Sequence, residues 1–391
     1  MFFGGSKKEV FALLDINSQS VAGAFVVISK KHAPYICYTT RIPLHVSYES
    51  DRGALLRALE KGVQELTTKL DTEGRAALSR ACGARHISDV LVSVGSPWQK
   101  TAIRSQVQTF TKPQRITSAD LDAAREKTAS QLEVDEQHTK IIDHAIIDVL
   151  INGYQSSKPI GKRAQRLGVV TLASMIPVEV HDLLIENLER IFNAGPIRMQ
   201  TTPALSYVVL RDTFAHERDF LVSLISGEAT DILLVKQGIL TSVHTLLSGV
   251  HTLARSIAQT QPMRVVEEKL ATDDIEAFLT DEFAGKAKQA KQSAQNTWIS
   301  EVHLTISEIS RRHALPQTFF VLSDEKCRAE FASLLRSEDV HALRMGEQGF
   351  TVLPIKTEHL TDYVVFTGHA QKDMFLAILA LFANQHISVE K

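Results

Sequence analysis

The chain has 391 residues, of which 44% are hydrophobic and 23% charged, a composition typical of a folded protein with a sizeable core. Its 43 Lys and Arg residues nearly balance its 45 Asp and Glu residues, so a net charge of −2 offers no field to hold nucleic acid or an anionic membrane. No uncharged apolar run of about 18 residues occurs, which argues against a membrane-spanning helix. The three cysteines form no Cys-x-x-Cys pair, which argues against zinc and thioredoxin-like sites and favours a reducing compartment.

Apolar segments in the first part of the chain predict a β-hairpin, a third strand and a helix. Two strands rich in β-branched and aromatic residues, at 10–14 and 21–28, flank a polar turn at 15–20. A third strand is predicted at 35–40. Apolar residues at helical spacing predict a helix over 52–71.

The next segment predicts four strands and two helices. Residues 117–120 have the pattern of a helix N-terminus, and the helix that they begin is predicted to end near Leu132. Apolar spacing after Pro177 predicts a further helix that ends near the Asn-Ala-Gly-Pro sequence at 193–196. The strands are predicted at 89–94, 103–110, 141–150 and 167–175.

A second hairpin is predicted near the middle of the chain, with strands at 220–225 and 230–235 around a turn at 226–228. The lysine-containing residues 285–296 indicate a solvated helix or a flexible linker rather than a nucleic-acid or lipid patch. The other predicted elements are helices at 249–258, 264–297, 298–312, 325–335 and 374–382 and a strand at 319–322.

The two hairpins form an internal repeat, about 210 residues apart. Each has a buried strand, a short polar turn and a second buried strand, and each begins a β-rich segment that ends in a helix. Two such units facing one another would form a cleft between two lobes. The turns would offer backbone N–H groups and hydroxyls to phosphate, although each turn taken alone reads as an ordinary hairpin.

Familiar enzyme signatures do not occur in the sequence. The segment around Gly161 lacks the spacing and the hydroxyl of a phosphate-binding P-loop. The 15 histidines are scattered and include no His-Glu-x-x-His pattern, and no Gly-x-Ser-x-Gly elbow occurs. Motif chemistry therefore predicts no enzyme.

The ordered set of segments resembles the bacterial actin-like proteins of the FtsA and PilM type, within the actin, Hsp70 and sugar-kinase superfamily. Residues 15–21 (DINSQSV) resemble the first phosphate loop, residues 224–232 (LISGEATDI) resemble the second, and residues 320–324 (FVLSD) stand at the adenosine motif. The block at 86–176 resembles the strand-helix-strand-strand (SHS2-type) subdomain inserted in FtsA and PilM. The resemblance covers nearly the whole chain.

This resemblance implies an α/β fold with two actin-like, RNase H-like lobes and the inserted subdomain. The implied boundaries are 1–85 and 177–212 for the first lobe, 86–176 for the insert, and 213–391 for the second lobe with a helical polar subdomain at about 264–312. The implied cofactor is ATP with magnesium, bound weakly or not at all, with Asp15 as the metal residue. The implied nucleotide-binding residues are Asp15, Asn17, Ser18, Gln19, Ser226, Gly227, Glu228 and Thr230.

Departures from the family pattern predict a degenerate nucleotide site. Leu224 replaces the second magnesium-organising acid, for which Asp231 could substitute only in part. Asn17 and Ser226 replace glycines, and Asn tolerates left-handed backbone better than most residues. The pair Ser323-Asp324 replaces the glycines under adenine, and an acid there suits a phosphate poorly. We therefore expect no efficient ATP hydrolysis and no catalytic residue.

The resemblance then implies a PilM-like scaffold of a type IV pilus or type II secretion-type platform, cytoplasmic and peripheral to the inner face of the membrane. It would bind a cytoplasmic peptide of an inner-membrane partner beside the insert and self-associate, with no nucleic-acid partner. The alternatives are an FtsA-like division protein, disfavoured because 382–391 lacks a basic amphipathic anchor, and an active ATPase or kinase. The candidate residues for this binding surface are Trp98, Val107, Phe110 and Tyr154, although the sequence is equally consistent with a core position for each.

Overall fold

The structure, a computed structural model, describes residues 8–29, 32–44, 52–83, 86–135, 137–192, 195–259, 285–344, 349–368 and 370–387. Its strands are β1 Lys8–Ile16, β2 Ser20–Ser29, β3 Tyr35–Pro43, β4 Asp89–Val94, β5 Lys100–Arg115, β6 Thr139–Ile151, β7 Tyr154–Gln155, β8 Arg163–Pro177, β9 Ile197–Thr201, β10 Phe220–Ile225, β11 Thr230–Lys236, β12 Ile239–Leu246, β13 Thr318–Leu322, β14 Thr351–Pro354 and β15 Val365–Phe366. Its α-helices are α1 Arg52–Lys69, α2 Arg75–Cys82, α3 Ser118–Ala129, α4 Val178–Ile191, α5 Thr202–Thr213, α6 Val250–Ala258, α7 Gly285–Ser310, α8 Glu325–Leu334, α9 Glu338–His341 and α10 Met374–Phe382.

The internal repeat is present as two sheets of equal topology. The first sheet has the order β15-β3-β2-β1-β4-β9 and the second has the order β12-β11-β10-β13-β14. In both, an antiparallel hairpin (β1–β2, β10–β11) carries a further antiparallel strand on one side and parallel strands on the other. The inner strands are buried throughout, because helices cover both faces of each sheet. The two predicted hairpins and the two-lobed α/β fold are confirmed.

The insert is a separate four-stranded sheet with the order β5-β8-β6-β7. Thr117 caps α3 with a capping box, accepting from the Asp120 amide while the Asp120 carboxylate accepts from the Thr117 amide, as the sequence predicts. The predicted start of the insert at residue 86 is wrong. Residues 89–94 form β4, which is fully buried between β1 and β9 in the first-lobe sheet, so the insert comprises β5, α3, β6, β7 and β8.

The second lobe packs its helices around Trp298, which is fully buried among α6, α7 and α8. The predicted helices at 285–297 and 298–312 are one continuous helix, α7, which settles the choice between linker and helix at 285–296. Its buried side chains recur along one side, so tertiary contacts rather than composition hold it in place. The predicted helical residues 264–284 lie outside the described residues.

The end of the chain returns to the first lobe, so assigning 213–391 wholly to the second lobe is wrong. β15 pairs in parallel with β3, and α10 packs against β1, β2 and α5. The apolar side chains of α10 enter a core that both lobes share, with Phe11 and Leu13 on one side and Phe220 and Val222 on the other. The prediction that helix 374–382 closes a core is confirmed, and this core joins the two lobes.

Candidate functional site

The first predicted phosphate turn lies between β1 and β2 and is organised by the Asn17 side chain. Its Oδ1 accepts hydrogen bonds from the backbone amides of Gln19 (2.8 Å) and Ser20 (3.0 Å). The sequence suggested that Asn17 can replace glycine because asparagine tolerates left-handed backbone. The Asn17 backbone is not left-handed, however, and the residue shapes the turn through its side-chain hydrogen bonds. Amides that could face a phosphate are therefore bonded within the turn.

The second predicted turn lies between β10 and β11 and is held by its own lobe. Burial raises the pKa of Glu228, but hydrogen bonds from Arg255 and His251 outweigh this and lower it to about 2. The Glu228–Arg255 pair is bidentate. Thr230 Oγ1 donates to the Ser248 carbonyl (2.7 Å) and accepts from Trp298 Nε1 (3.2 Å). Glu228 and Thr230 thus serve the second lobe's internal structure.

The two turns contact each other directly. Ser18 Oγ lies 3.3 Å from Ser226 Oγ and accepts a hydrogen bond from the Glu228 amide (2.9 Å). A Cβ on Gly227 would lie 3.0 Å from the Gln19 amide nitrogen, which is closer than the van der Waals contact that packed side chains adopt. The Ser96 carbonyl, in the loop after β4, lies 3.0 Å from Ser226 Oγ and 3.3 Å from Ser18 Oγ. The turns therefore satisfy one another's polar groups.

Asp15, the predicted magnesium residue, is buried beside a guanidinium. Arg41 donates to Asp15 Oδ2 (3.2 Å) and forms a two-point pair with Asp373 (2.8 and 3.0 Å). Burial raises the pKa of Asp15 to about 6, although the Arg41 charge lowers it. Burial also opposes ionisation of Asp373, but the Arg41 charge prevails and lowers the pKa of Asp373. One internal cation thus neutralises the acid that would organise magnesium.

The other departures from the family pattern have structural roles. Leu224 lies in the shared interlobe core, and the Asp324 carboxylate caps α8 by accepting from the Lys326 amide (3.0 Å). Asp231 does not take the place of the missing acid, because its buried carboxylate accepts hydrogen bonds from neutral donors. These donors are Ser96 Oγ (2.8 Å to each oxygen), Gln99 Nε2 (3.3 Å) and Thr245 Oγ1 (2.5 Å).

Magnesium nucleotide does not fit this arrangement. The eight predicted residues are brought to one place, but their hydroxyls, amides and carboxylates are engaged with protein groups instead of facing an open cleft. Among the described residues, no cluster of three or more His, Cys, Asp or Glu side chains could hold a metal ion. These contacts engage the groups that would bind nucleotide, and the degeneracy of the site stays a prediction.

Three residues that matter here were not identified from the sequence. Arg41 and Asp373 lie 332 positions apart, and Ser96 lies at the junction of the first lobe with the insert. None belongs to a motif, and no local pattern pairs them. Only the return of the chain end to the first lobe brings Asp373 to Arg41.

A groove lies where the insert meets the lobes, on the side of β6. Its volume is about 670 Å³, within the range of ligand-binding clefts. The insert groove is lined by Ile146, Ile147, Asp148, Val149, Gln155, Ser156, Ser157 and Pro159 of the insert, by Arg211 and Asp212 at the end of α5, by Ala215, Glu217 and Arg218 after it, and by Gln237, Gly238 and Ile239 between β11 and β12.

The four candidate surface residues do not form one surface. Trp98 is buried in the first-lobe core and Phe110 packs on the core of the insert, so both are core residues. Tyr154 and Val107 are exposed, Tyr154 by 79%. Neither of these two lines the insert groove.

No family model matches the sequence, and no curated protein matches it significantly. Among solved structures, a PilM-PilN type IV pilus biogenesis complex superposes with a TM-score of 0.58 at 15% identity, covering 95% of each chain. The chain has the two-lobed actin-like fold. Two further structures are more distant. EutJ of Carboxydothermus hydrogenoformans has a TM-score of 0.40 at 10% identity, with 89% of this chain and 85% of that chain covered. A ROK hexokinase of Thermus thermophilus has a TM-score of 0.39 at 10% identity, with 98% of this chain and 99% of that chain covered.

The similarity to the PilM-PilN structure establishes the fold alone, and the activity has to be argued from the site. No helix in the described part of the chain has the length and apolarity needed to cross a membrane.

Proposed function

We propose that this protein is a non-catalytic, actin-like scaffold that holds a cytoplasmic peptide of an inner-membrane partner in the insert groove. The groove carries the proposal: it lies at a subdomain boundary, where binding sites are common, and it combines apolar and polar lining. The similarly folded PilM belongs to a pilus biogenesis complex with PilN, which supports a pilus-type partner and a role at the inner face of the membrane.

The contact between the two turns supports the absence of catalysis. A phosphate would have to displace the Ser18–Ser226 and Ser18–Glu228 contacts, and magnesium would have to displace Arg41 from Asp15. Burying a divalent ion beside a retained guanidinium is costly, since like charges repel strongly at low dielectric. The lobes are accordingly proposed to stay closed without nucleotide.

Thermal unfolding with and without ATP and magnesium tests this part of the proposal. A ligand at 100 times its dissociation constant stabilises a folded protein by about 2.7 kcal/mol, which a melting curve resolves readily. We expect no shift at millimolar ATP. A saturable shift in the wild type that Asp15→Ala abolishes would overturn the proposed loss of the nucleotide site.

Selection of a random 12-residue phage-displayed peptide library on the full chain tests the groove. Ala215 is exposed and lines the groove, so Ala215→Trp fills it without altering a buried contact. We expect binders to the wild type that lose affinity for Ala215→Trp, whereas His216→Trp, at the neighbouring exposed residue, serves as the control. Failure to select any peptide, or selection of peptides indifferent to Ala215→Trp, would refute peptide binding in this groove.

A further inference from the structure

Asp148 is a groove residue whose carboxylate makes no ion pair among the described residues. Its Oδ2 is buried and accepts no hydrogen bond within the described part of the chain. Burial raises the pKa of the Asp148 carboxyl, and the Val149 amide and the Gln155 side chain oppose this only in part. A buried carboxylate oxygen without a donor is costly, and such an atom usually marks a missing partner.

The other charged groups of the groove are engaged elsewhere. Arg211 donates to Asp212 (2.7 Å), and Arg218 donates to the Gln237 carbonyl (3.0 Å). Glu217 accepts from Thr318 Oγ1 (2.9 Å). Neither groove arginine therefore donates to Asp148 Oδ2, and the Asp148 side chain lies among the residues that line the groove.

The backbone of β6 beside Asp148 is irregular. Ile146 pairs with Thr171 and Asp148 pairs with Val170, so Ile147 is an extra residue in a β-bulge. A bulge disrupts the regular row of backbone N–H and C=O groups with which an added strand would pair. A peptide is therefore not expected to extend this sheet by backbone pairing at this point. Recognition at this point of the groove must therefore depend on side chains.

We propose that the insert groove selects a peptide with a lysine or arginine whose cationic head pairs with the Asp148 carboxylate. A cation supplies both the missing donor and the missing charge, and Arg or Lys bonds to a buried carboxylate are among the strongest polar contacts. The apolar lining at Ile147, Pro159 and Ile239 suits the aliphatic stem of such a side chain. This inference rests on the proposed peptide-binding function and adds its specificity.

The peptides selected from the 12-residue library provide the test. We expect a basic residue at one fixed position, and binding of the best synthetic peptide weaker by about 30-fold or more in Asp148→Asn, because an unpaired partner of a buried charge pair is strongly penalised. Selection on Asp148→Asn should lose the basic preference. Asp122→Asn removes an exposed charge from the same subdomain and should leave the affinity unchanged.

The possible outcomes distinguish a failure of the proposed specificity from a failure of the proposed peptide-binding function. Peptides that Ala215→Trp blocks, but that carry no basic residue and bind Asp148→Asn as well as the wild type, would overturn the specificity and leave the scaffold proposal standing. Weakening of all peptides alike by Asp148→Asn, with Lys and Arg no more frequent than other residues, would also overturn it. Absence of any groove-binding peptide would refute the proposed function itself. Unfolding curves of each variant establish that its fold is retained.

Discussion

Asp231 should make the protein less stable as the pH rises, whereas an acid paired with a cation makes a protein more stable. Replacing Asp231 by asparagine should remove this loss of stability. Asp231 is 2% exposed, and burial raises its pKa to about 6 although its neutral hydrogen-bond donors, Ser96, Thr245 and Gln99, lower it. In the unfolded chain the carboxyl titrates near its ordinary value of 3.8. Between these values the folded protein keeps a proton that the unfolded chain has released, so rising pH favours unfolding.

The magnitude follows from the two pKa values. A difference of about two pH units corresponds to about 3 kcal/mol, lost from the wild type between about pH 4 and pH 7. Asparagine keeps the shape and cannot ionise, and the hydroxyls of Ser96 and Thr245 can reorient to accept from its amide. Asp231→Asn should therefore match the wild type near pH 4 and exceed its stability by about 3 kcal/mol at pH 7.

The assay is urea unfolding of both proteins from pH 4 to 7, because the difference between the two curves cancels every other titrating group. Asp122→Asn, which breaks an exposed ion pair with Arg125, is the control and should change the stability by no more than about 1 kcal/mol. A difference for Asp231→Asn that stays flat, or that reverses so that the wild type gains stability with pH, would refute the description of Asp231 as a buried acid without a cation.

Three further substitutions test the contacts of the candidate site by urea unfolding at neutral pH, the first two between the lobes and the third within the first lobe. Ser18→Ala leaves the Glu228 amide without its acceptor and should cost about 1–3 kcal/mol. Gly227→Ala places a Cβ 2.9 Å from His251 Nδ1 and against the first turn, and should cost about 1–3 kcal/mol as an overpacked site. Arg41→Met leaves the buried Asp15 carboxylate and the partly buried Asp373 carboxylate without their cation and should cost about 3–5 kcal/mol.

Each of these substitutions has a matched control. Ser206 is buried, and its hydroxyl has no partner among the described residues, so Ser206→Ala should cost little. Gly368→Ala enters open space and should be neutral. Arg52→Met breaks an exposed ion pair with Glu179 and should cost no more than about 1 kcal/mol. Equal losses in a substitution and its control would contradict the corresponding contact of the candidate site as a source of stability.

Much of the fold could be predicted because its signals are local. Both hairpins, the α3 capping box and the apolar helix α10 follow from the alternation, capping and spacing of neighbouring residues. The sequence did not show to which sheet each of several equally apolar strands belongs. The strand at 89–94 looks the same whether it begins an insert or fills a parallel sheet, and only pairing with β1 and β9 decides this.

The candidate site divides in the same way. The sequence by itself determined which two turns face each other, since the repeat and its small polar residues are local patterns, and it determined the loss of the second acid at Leu224. Only the tertiary structure decided that Arg41 lies between Asp15 and Asp373 and that Asp148 faces a groove without a counter-ion. Charge pairing and desolvation depend on distances between residues remote in the chain, and a one-dimensional pattern does not contain those distances.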